Sequence, residues 1–244
     1  MQAQVDERED TDGLARELAQ NGVVSVEGYL DTETCDDIRE QVKELLDNDE
    51  LEFADEEMSG SEMMNASRTI VNRRSGKDDD GMLDIFNIDE SIPKIKDIKQ
   101  DEFISDIIDT AGDKDCEPEN INVYYNRSVT STRGYHFDSY NSQYKAFVYL
   151  TDVPDKSHGP YSYIKGSNRR SYPRRRFEGI LNRFRGEKPT AAVQYDEDDI
   201  VTFTAPKGTL IISDQTGYHR GIPQEEGKER MLISNSHTPK QSVE

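Results

Sequence analysis

The second half of the chain is built from short runs of β-branched and aromatic residues, and this pattern most restricts the fold. Gly, Pro and Asn residues, which favour turns, separate the runs. The runs are 121–125, 145–151, 161–165, 200–204, 209–213 and 231–234. Several short strands with turns between them predict a β-sandwich or barrel over residues 118–240.

The first half predicts helices that flank this β core. In residues 1–50, a β-branched run at 23–26 predicts a strand, and apolar residues at helical spacing from Thr32 onward predict an amphipathic helix. Residues 51–117 predict a connector that is a loop as far as Gly81 and helical over 92–111, where the helical periodicity returns. We expect one domain spanning residues 1–244.

Acidic residues dominate the charge, with 50 Asp and Glu against 30 Lys and Arg and a formal net charge of −20. This balance excludes a general cationic surface for nucleic acid. No run of about 18 apolar residues is present, so no membrane-spanning helix is expected. Residues 1–13 lack the features of a signal peptide, which predicts a cytoplasmic protein.

Cys35 and Cys116 lie too far apart for a CxxC-type zinc site and do not indicate a disulfide framework. The sequence leaves the oligomeric state open.

Two histidines and an aspartate in the β half form a candidate metal site. On a strand, residues two apart project to the same face, so His136 and Asp138 present an imidazole and a carboxylate to one point. His219 comes just after another β run and supplies a second imidazole. Two imidazoles and one carboxylate with open coordination positions form the facial triad of non-haem Fe(II) oxygenases.

Arg230 stands eleven residues after His219, at the start of the last β run. A guanidinium binds a carboxylate bidentately, so Arg230 suits the far end of a dicarboxylate whose other end chelates the metal. Two other histidines are weaker candidates. His158 lies in a turn, and His237 follows the last run with no arginine at a suitable interval behind it.

These segments resemble the phytanoyl-CoA dioxygenase-like branch of the Fe(II)- and 2-oxoglutarate-dependent oxygenases. The matching stretches are YHFD at 135–138, the run at 145–170, and GTLIISDQTGYHRGIPQEEGKER at 208–230. The resemblance implies a mainly β fold with flanking helices around a double-stranded β-helix, or cupin-like jelly roll. It also implies that His136, Asp138 and His219 bind Fe(II) and that Arg230 binds the far carboxylate of 2-oxoglutarate.

The same resemblance implies further roles. Tyr124 and Lys145 sit where the family often places residues near the cosubstrate, although ordinary strand positions explain them equally well. The implied reaction consumes molecular oxygen and hydroxylates a small or medium organic substrate. Asp138 favours hydroxylation over halogenation, since related halogenases have a small residue at that position.

Arginine is concentrated in one segment of this acidic chain. Arg174, Arg175 and Arg176 lie there, with further arginines on both sides. One interpretation places them at the barrel mouth, where they bind an anionic group of the substrate. The other interpretation is a solvated segment that pairs with acidic neighbours, and such surface pairs are individually worth about 0 to 1 kcal/mol.

The sequence also allows two other functions. A non-catalytic jelly roll could bind the metal without reacting, but the complete ligand set together with Arg230 counts against it. A cupin-type hydrolase or isomerase could use another metal, but Arg230 has no evident purpose in such an enzyme.

Overall fold

The computed structural model describes residues 10–48, 51–55, 57–112 and 114–240, and within them eleven strands and six α-helices form. The strands are β1 (Val23–Val26), β2 (Glu52–Phe53), β3 (Ile70–Arg73), β4 (Leu83–Phe86), β5 (Cys116–Arg127), β6 (Tyr144–Tyr149), β7 (Tyr161–Ile164), β8 (Ile200–Thr202), β9 (Leu210–Asp214), β10 (His219–Gly221) and β11 (Glu229–Pro239). The helices are α1 (Thr11–Asn21), α2 (Thr32–Leu46), α3 (Gly60–Met64), α4 (Pro93–Lys99), α5 (Glu102–Ala111) and α6 (Tyr172–Phe184). The expectation that no signal peptide is present concerns residues 1–13. Most of these residues lie outside the described ranges.

The strands form two sheets, as expected for a jelly roll. The larger sheet has the order β1-β9-β6-β11-β5-β4-β3-β2, and the smaller has the order β10-β7-β8. All pairs are antiparallel except β2 with β3. The prediction of a mainly β fold with flanking helices is confirmed.

The large sheet buries apolar side chains on both faces, which explains the almost continuous apolar run in β6. Phe147 and Tyr149 pack with Tyr161 and Tyr163 of the small sheet, so this cluster fills the space between the sheets. Ala146 and Val148, which alternate with them, belong to the cluster on the opposite face. Helices cover that outer face.

The outer helices pack through isoleucine-rich stripes. In α5, Ile104, Ile107 and Ile108 are fully buried, at the i, i+3 and i+4 spacing of one helix face. Asp101 accepts a hydrogen bond from the Phe103 amide at 2.8 Å and caps this helix. The helical periodicity over 92–111 is therefore confirmed, but the cap at Asp101 divides it into α4 and α5.

The connector differs from the loop that the sequence predicts as far as Gly81. Strand β3 pairs with β4, and β4 pairs with β5, so the connector extends the large sheet. Buried Val71 and Ile85 hold these strands against the core, and Ile70 packs with Met63 and Phe86 in a smaller cluster. The sequence signal was weak because each strand is four residues long and polar residues surround it. This extension brings part of the connector to the functional site.

None of the helices in the described residues is long and apolar enough to cross a membrane.

A test of the packing uses two isoleucines on different helices. Ile107 is fully buried in α5, whereas Ile180 in α6 is 51% exposed. We expect Ile107→Ala to lower the free energy of unfolding by about 2 to 5 kcal/mol, because it removes buried methyl groups and leaves a cavity. The control Ile180→Ala should change it by no more than about 0.5 kcal/mol. Urea unfolding at constant salt measures both, and equal effects would contradict this packing.

Candidate metal centre

A cavity of about 270 Å³ lies between the two sheets. The central strands supply its lining at alternate positions: Tyr124 and Asn126 in β5, Lys145 and Phe147 in β6, and Arg230 and Leu232 in β11. Alternation follows from the strand period of two, which sends every second side chain to the inner face. Cross-strand pairing aligns the three strands, because β11 pairs with both β5 and β6.

The three predicted metal ligands line this cavity together. A backbone bridge joins the two histidines: the His136 amide donates to His219 O at 3.1 Å, and the His219 amide donates to His136 O at 2.9 Å. Asp138 is fixed by its amide, which donates to Gln215 O at 3.0 Å. One potential ligand atom from each residue lies within 4.8 Å of the others.

A hydrogen bond from Nδ1 to a backbone carbonyl orients each imidazole. His136 Nδ1 lies 2.8 Å from Gly134 O, and His219 Nδ1 lies 3.1 Å from Gly217 O. A carbonyl can only accept, so each Nδ1 carries a proton, and in the neutral form of each ring the lone pair is on Nε2. Burial lowers the pKa of His219 and so favours its neutral form. Both rings are therefore prepared as ligands.

The two Nε2 atoms converge on one carboxylate oxygen. Asp138 Oδ1 is 3.4 Å from His136 Nε2 and 3.7 Å from His219 Nε2. His136 Nε2 is buried and has no hydrogen-bond partner among the described residues. Two lone pairs and a carboxylate oxygen that face one another need a cation between them, so the donor set fits a metal ion.

Lys145 binds the other oxygen of the same carboxylate. Its Nζ lies 2.7 Å from Asp138 Oδ2, which leaves Oδ1 directed at the imidazoles. Burial alone would raise the pKa of Asp138, but the Lys145 charge opposes it and holds this pKa well below its ordinary value. Asp138 therefore stays ionised, and its Oδ1 is available to a metal ion.

Arg230 lies in the same cavity and is almost fully buried. Its Nη1 donates to Gly159 O, its Nε has no partner, and it forms no ion pair with a carboxylate among the described residues. Desolvation by burial lowers its pKa, but a guanidinium keeps its charge at neutral pH. A buried, unneutralised guanidinium favours a bound anion.

The structure also brings Tyr124 to the cavity, where its ring lies 5.7 Å below the Arg74 guanidinium.

The structure does not bring the three consecutive arginines of α6 to the cavity. Arg174 is exposed and donates to Glu178 at 3.0 Å, Arg175 donates to the Arg170 carbonyl at 2.8 Å, and Arg176 lies 5.2 Å from the Tyr140 ring. The cavity lining includes none of these three.

Neither of the weaker histidine candidates joins the triad. His158 Nδ1 contacts Asp155 Oδ1 at 3.0 Å in a short 3₁₀ helix. His237 is fully buried in β11, and burial lowers its pKa to about 4.

Sequence reasoning missed four charged residues that line the cavity: Arg74, Asp79, Arg133 and Arg220. Arg220 directly follows His219, so its place beside a predicted ligand was the available signal. Arg74 and Asp79 come from the connector, where no motif marked them.

Comparison with known proteins gives a structural match only, since no family model and no curated protein matches the sequence. One similar structure is the non-haem α-ketoglutarate-dependent epimerase SnoN from nogalamycin biosynthesis (14% identity, TM-score 0.66, 96% of this chain and 84% of SnoN). HygX from Streptomyces hygroscopicus, with nickel and 2-oxoglutarate bound, is another (13%, 0.63, 91% and 85%). AviO1 from Streptomyces viridochromogenes Tue57 is also similar (13%, 0.63, 96% and 97%).

The chain shares their fold. This likeness confirms the jelly-roll core with flanking helices over nearly the whole chain. At 13 to 14% identity it establishes the fold and not the activity. The narrower resemblance to phytanoyl-CoA dioxygenases stays a prediction.

The triad makes a direct prediction for metal binding. His136→Ala, Asp138→Ala and His219→Ala should each weaken Co(II) or Fe(II) binding at least about 100-fold, because two protein ligands hold such ions poorly. Anaerobic calorimetry measures the affinity. The metal should also raise the melting temperature of the parent protein and not that of the variants. His158→Ala is the control, and a variant of the triad with parental affinity would remove that residue from the metal site.

Lys145 should tune the same affinity as a positioning residue. We expect Lys145→Met to weaken metal binding about 10-fold or more, since partners that orient metal ligands typically contribute 10- to 100-fold. Lys207→Met is the matched control. Lys207 has nearly the same exposure, 17% against 16%, and also pairs with an aspartate, Asp36, but outside the cavity. Equal affinities of the two variants would contradict this role.

Proposed function

We propose that this chain is an Fe(II)- and 2-oxoglutarate-dependent oxygenase that hydroxylates a small or medium organic molecule. The observation that carries the proposal is the meeting of the His136, Asp138 and His219 ligand atoms with a buried, unneutralised Arg230 in one cavity. A metal site alone would fit many activities. The distal guanidinium gives it a second function, which a chelating dicarboxylate explains.

The donor set supports iron as the metal. Two imidazole nitrogens and one carboxylate oxygen approach from one side and leave coordination positions for a cosubstrate and oxygen. Among the similar structures, SnoN is described in complex with Fe3+, α-ketoglutarate and nogalamycin RO. HygX is described with nickel, 2-oxoglutarate and hygromycin B. We extend the metal and the cosubstrate to this chain on the strength of its own triad and Arg230.

The roles of the residues follow from their positions. When bound, iron with 2-oxoglutarate supplies the oxidising chemistry, in which O2 is consumed, succinate and CO2 form, and a substrate C–H bond is broken. Arg230 binds the far carboxylate of 2-oxoglutarate, and Lys145 orients Asp138. Phe147 and Leu232 line the cavity beside them and keep water away. Tyr124 completes the wall on the β5 side.

Hydroxylation is one of several outcomes that this fold supports, since similar structures include an epimerase and a carbocyclase. Asp138 supports an oxygenase without halogenation, because its carboxylate fills the position that a halide would need. Product analysis under 18O2 separates the outcomes. Hydroxylation places labelled oxygen in the product, whereas epimerisation and cyclisation do not.

Turnover of 2-oxoglutarate tests the proposed class before the substrate is known. With Fe(II), ascorbate and O2, the parent protein should form succinate slowly even without added substrate, and His219→Ala should form none. His158→Ala should match the parent. If the protein binds the metal but forms no succinate, even with candidate substrates present, the non-catalytic jelly roll is favoured. If it converts a substrate without 2-oxoglutarate, a hydrolase or isomerase is favoured.

Arg230 should set the affinity for 2-oxoglutarate. Arg230→Met should raise the KM for 2-oxoglutarate strongly while the metal stays bound, because breaking a buried charge pair costs about 2 to 5 kcal/mol. Arg183→Met, an exposed change on α6, is the control for charge. An unchanged KM would remove Arg230 from the cosubstrate site.

A further inference from the structure

We infer that the substrate carries a carboxylate or phosphate group and that Arg220 and Arg133 bind this group at the solvent side of the metal cavity. This inference rests on the proposed function for the identity of the site, but the anion contact itself can be measured without turnover. Both arginines lie outside the arginine-rich segment of α6.

Arg220 is held in place by neutral partners. Its Nη2 donates to Thr132 Oγ1 at 3.0 Å and its Nε donates to Gly221 O at 3.3 Å. The guanidinium carbon lies 5.6 Å from the centre of the Tyr135 ring. No carboxylate of the described residues forms an ion pair with Arg220. Its position is fixed but its charge is not neutralised, and three of its five N–H donors are left for a ligand.

Arg133 directly follows Thr132 in sequence and also lines the cavity. Its Nε pairs with Asp79 at 3.1 Å, and its side chain is 39% exposed. Asp79 also faces Arg74 at 3.7 Å, so one carboxylate serves two guanidinium groups. Arg74 has a second partner, the buried Asp84, at 3.0 Å. Arg133 has no second partner of this kind among the described residues, which leaves its terminal nitrogens for an anion.

The charge of the cavity supports an anionic ligand. Five cationic side chains line it, against the carboxylates of Asp79 and Asp138. Lys145 neutralises Asp138, and under the proposed function the charges of Fe(II) and 2-oxoglutarate cancel. A positive excess therefore remains in the cavity, where Arg220 forms no ion pair with a carboxylate of the described residues.

This local excess stands out against a formal net charge of −20 for the whole chain. An anion approaching the protein is repelled by most of the surface, and a cavity of opposite sign concentrates it at one place. Guanidinium groups also select for oxyanions, since they bind carboxylate and phosphate oxygens bidentately. The positive cavity therefore provides selectivity for substrate charge.

Calorimetry with small oxyanions tests the inference on the protein loaded with Zn(II) and saturated with 2-oxoglutarate, which fills the Arg230 end without turnover. Inorganic phosphate, sulfate and acetate are titrated at constant ionic strength into the parent, Arg220→Gln and Arg133→Gln. At least one anion should bind the parent, and each variant should weaken that binding about tenfold or more, the effect of one charge-assisted contact. Arg183→Gln, exposed on α6, should bind like the parent.

Each other outcome overturns the inference. If none of the three anions binds, Arg133 and Arg220 do not form an anion site. Loss of binding in an Arg174→Gln, Arg176→Gln double variant, with Arg220→Gln unaffected, would assign the anion to α6.

Binding of 2-oxoglutarate to the Zn(II)-loaded protein is measured first, as a separate readout of the proposed function. If it fails, that function is contradicted, and anion binding is then measured on the metal-free protein. Loss of anion binding there in Arg220→Gln and Arg133→Gln would still support the anion contact. Loss only in Arg230→Gln would move the anion to the inner end and overturn it.

Discussion

The Asp138 carboxylate is held on one oxygen by Lys145, at 2.7 Å, while its other oxygen faces both imidazoles. This division of one carboxylate between a lysine and two histidines organises the rest of the site. The backbone bridge between His136 and His219 keeps the rings together, and the carbonyls of Gly134 and Gly217 choose their tautomers. Because the Nε2 lone pairs and the carboxylate oxygen face one another, a cation between them would stabilise this arrangement.

The large sheet supplies the frame that makes this geometry possible. Strand β11 lies between β5 and β6, so side chains two apart on three neighbouring strands point into one cavity. The same strands present apolar side chains to the outer helices at the intervening positions. Burial on both faces fixes the register, because a slip of one residue would turn Arg230 and Lys145 toward the helices and apolar residues toward the cavity. Stability and site geometry therefore depend on the same pairing.

The sequence predicted the parts of the molecule whose pattern is local. Strand runs with turns between them identified the β core, and the spacing of His136, Asp138, His219 and Arg230 identified residues that the structure places together. It could not predict β3 and β4, where Ile70, Val71 and Ile85 become core residues only through long-range pairing. The sequence also shows that α6 is rich in arginine, but not where these side chains point. Their contacts with Glu178 and the Arg170 carbonyl determine that. Arg220 was missed because strand alternation predicts that it points away from His219, whereas in the structure both residues line the cavity.

The central claim is that this cavity holds iron and 2-oxoglutarate together, with the cosubstrate chelating the metal and reaching Arg230. Anaerobic titration of the Fe(II)-loaded protein with 2-oxoglutarate, followed by visible absorption, tests it most directly, because chelation of Fe(II) by the 2-oxo acid produces a charge-transfer band. We expect a band that saturates with 2-oxoglutarate in the parent protein. In Arg230→Met the band should need a much higher 2-oxoglutarate concentration, and in Asp138→Ala it should be absent. Iron binding with no band at any 2-oxoglutarate concentration would contradict the account.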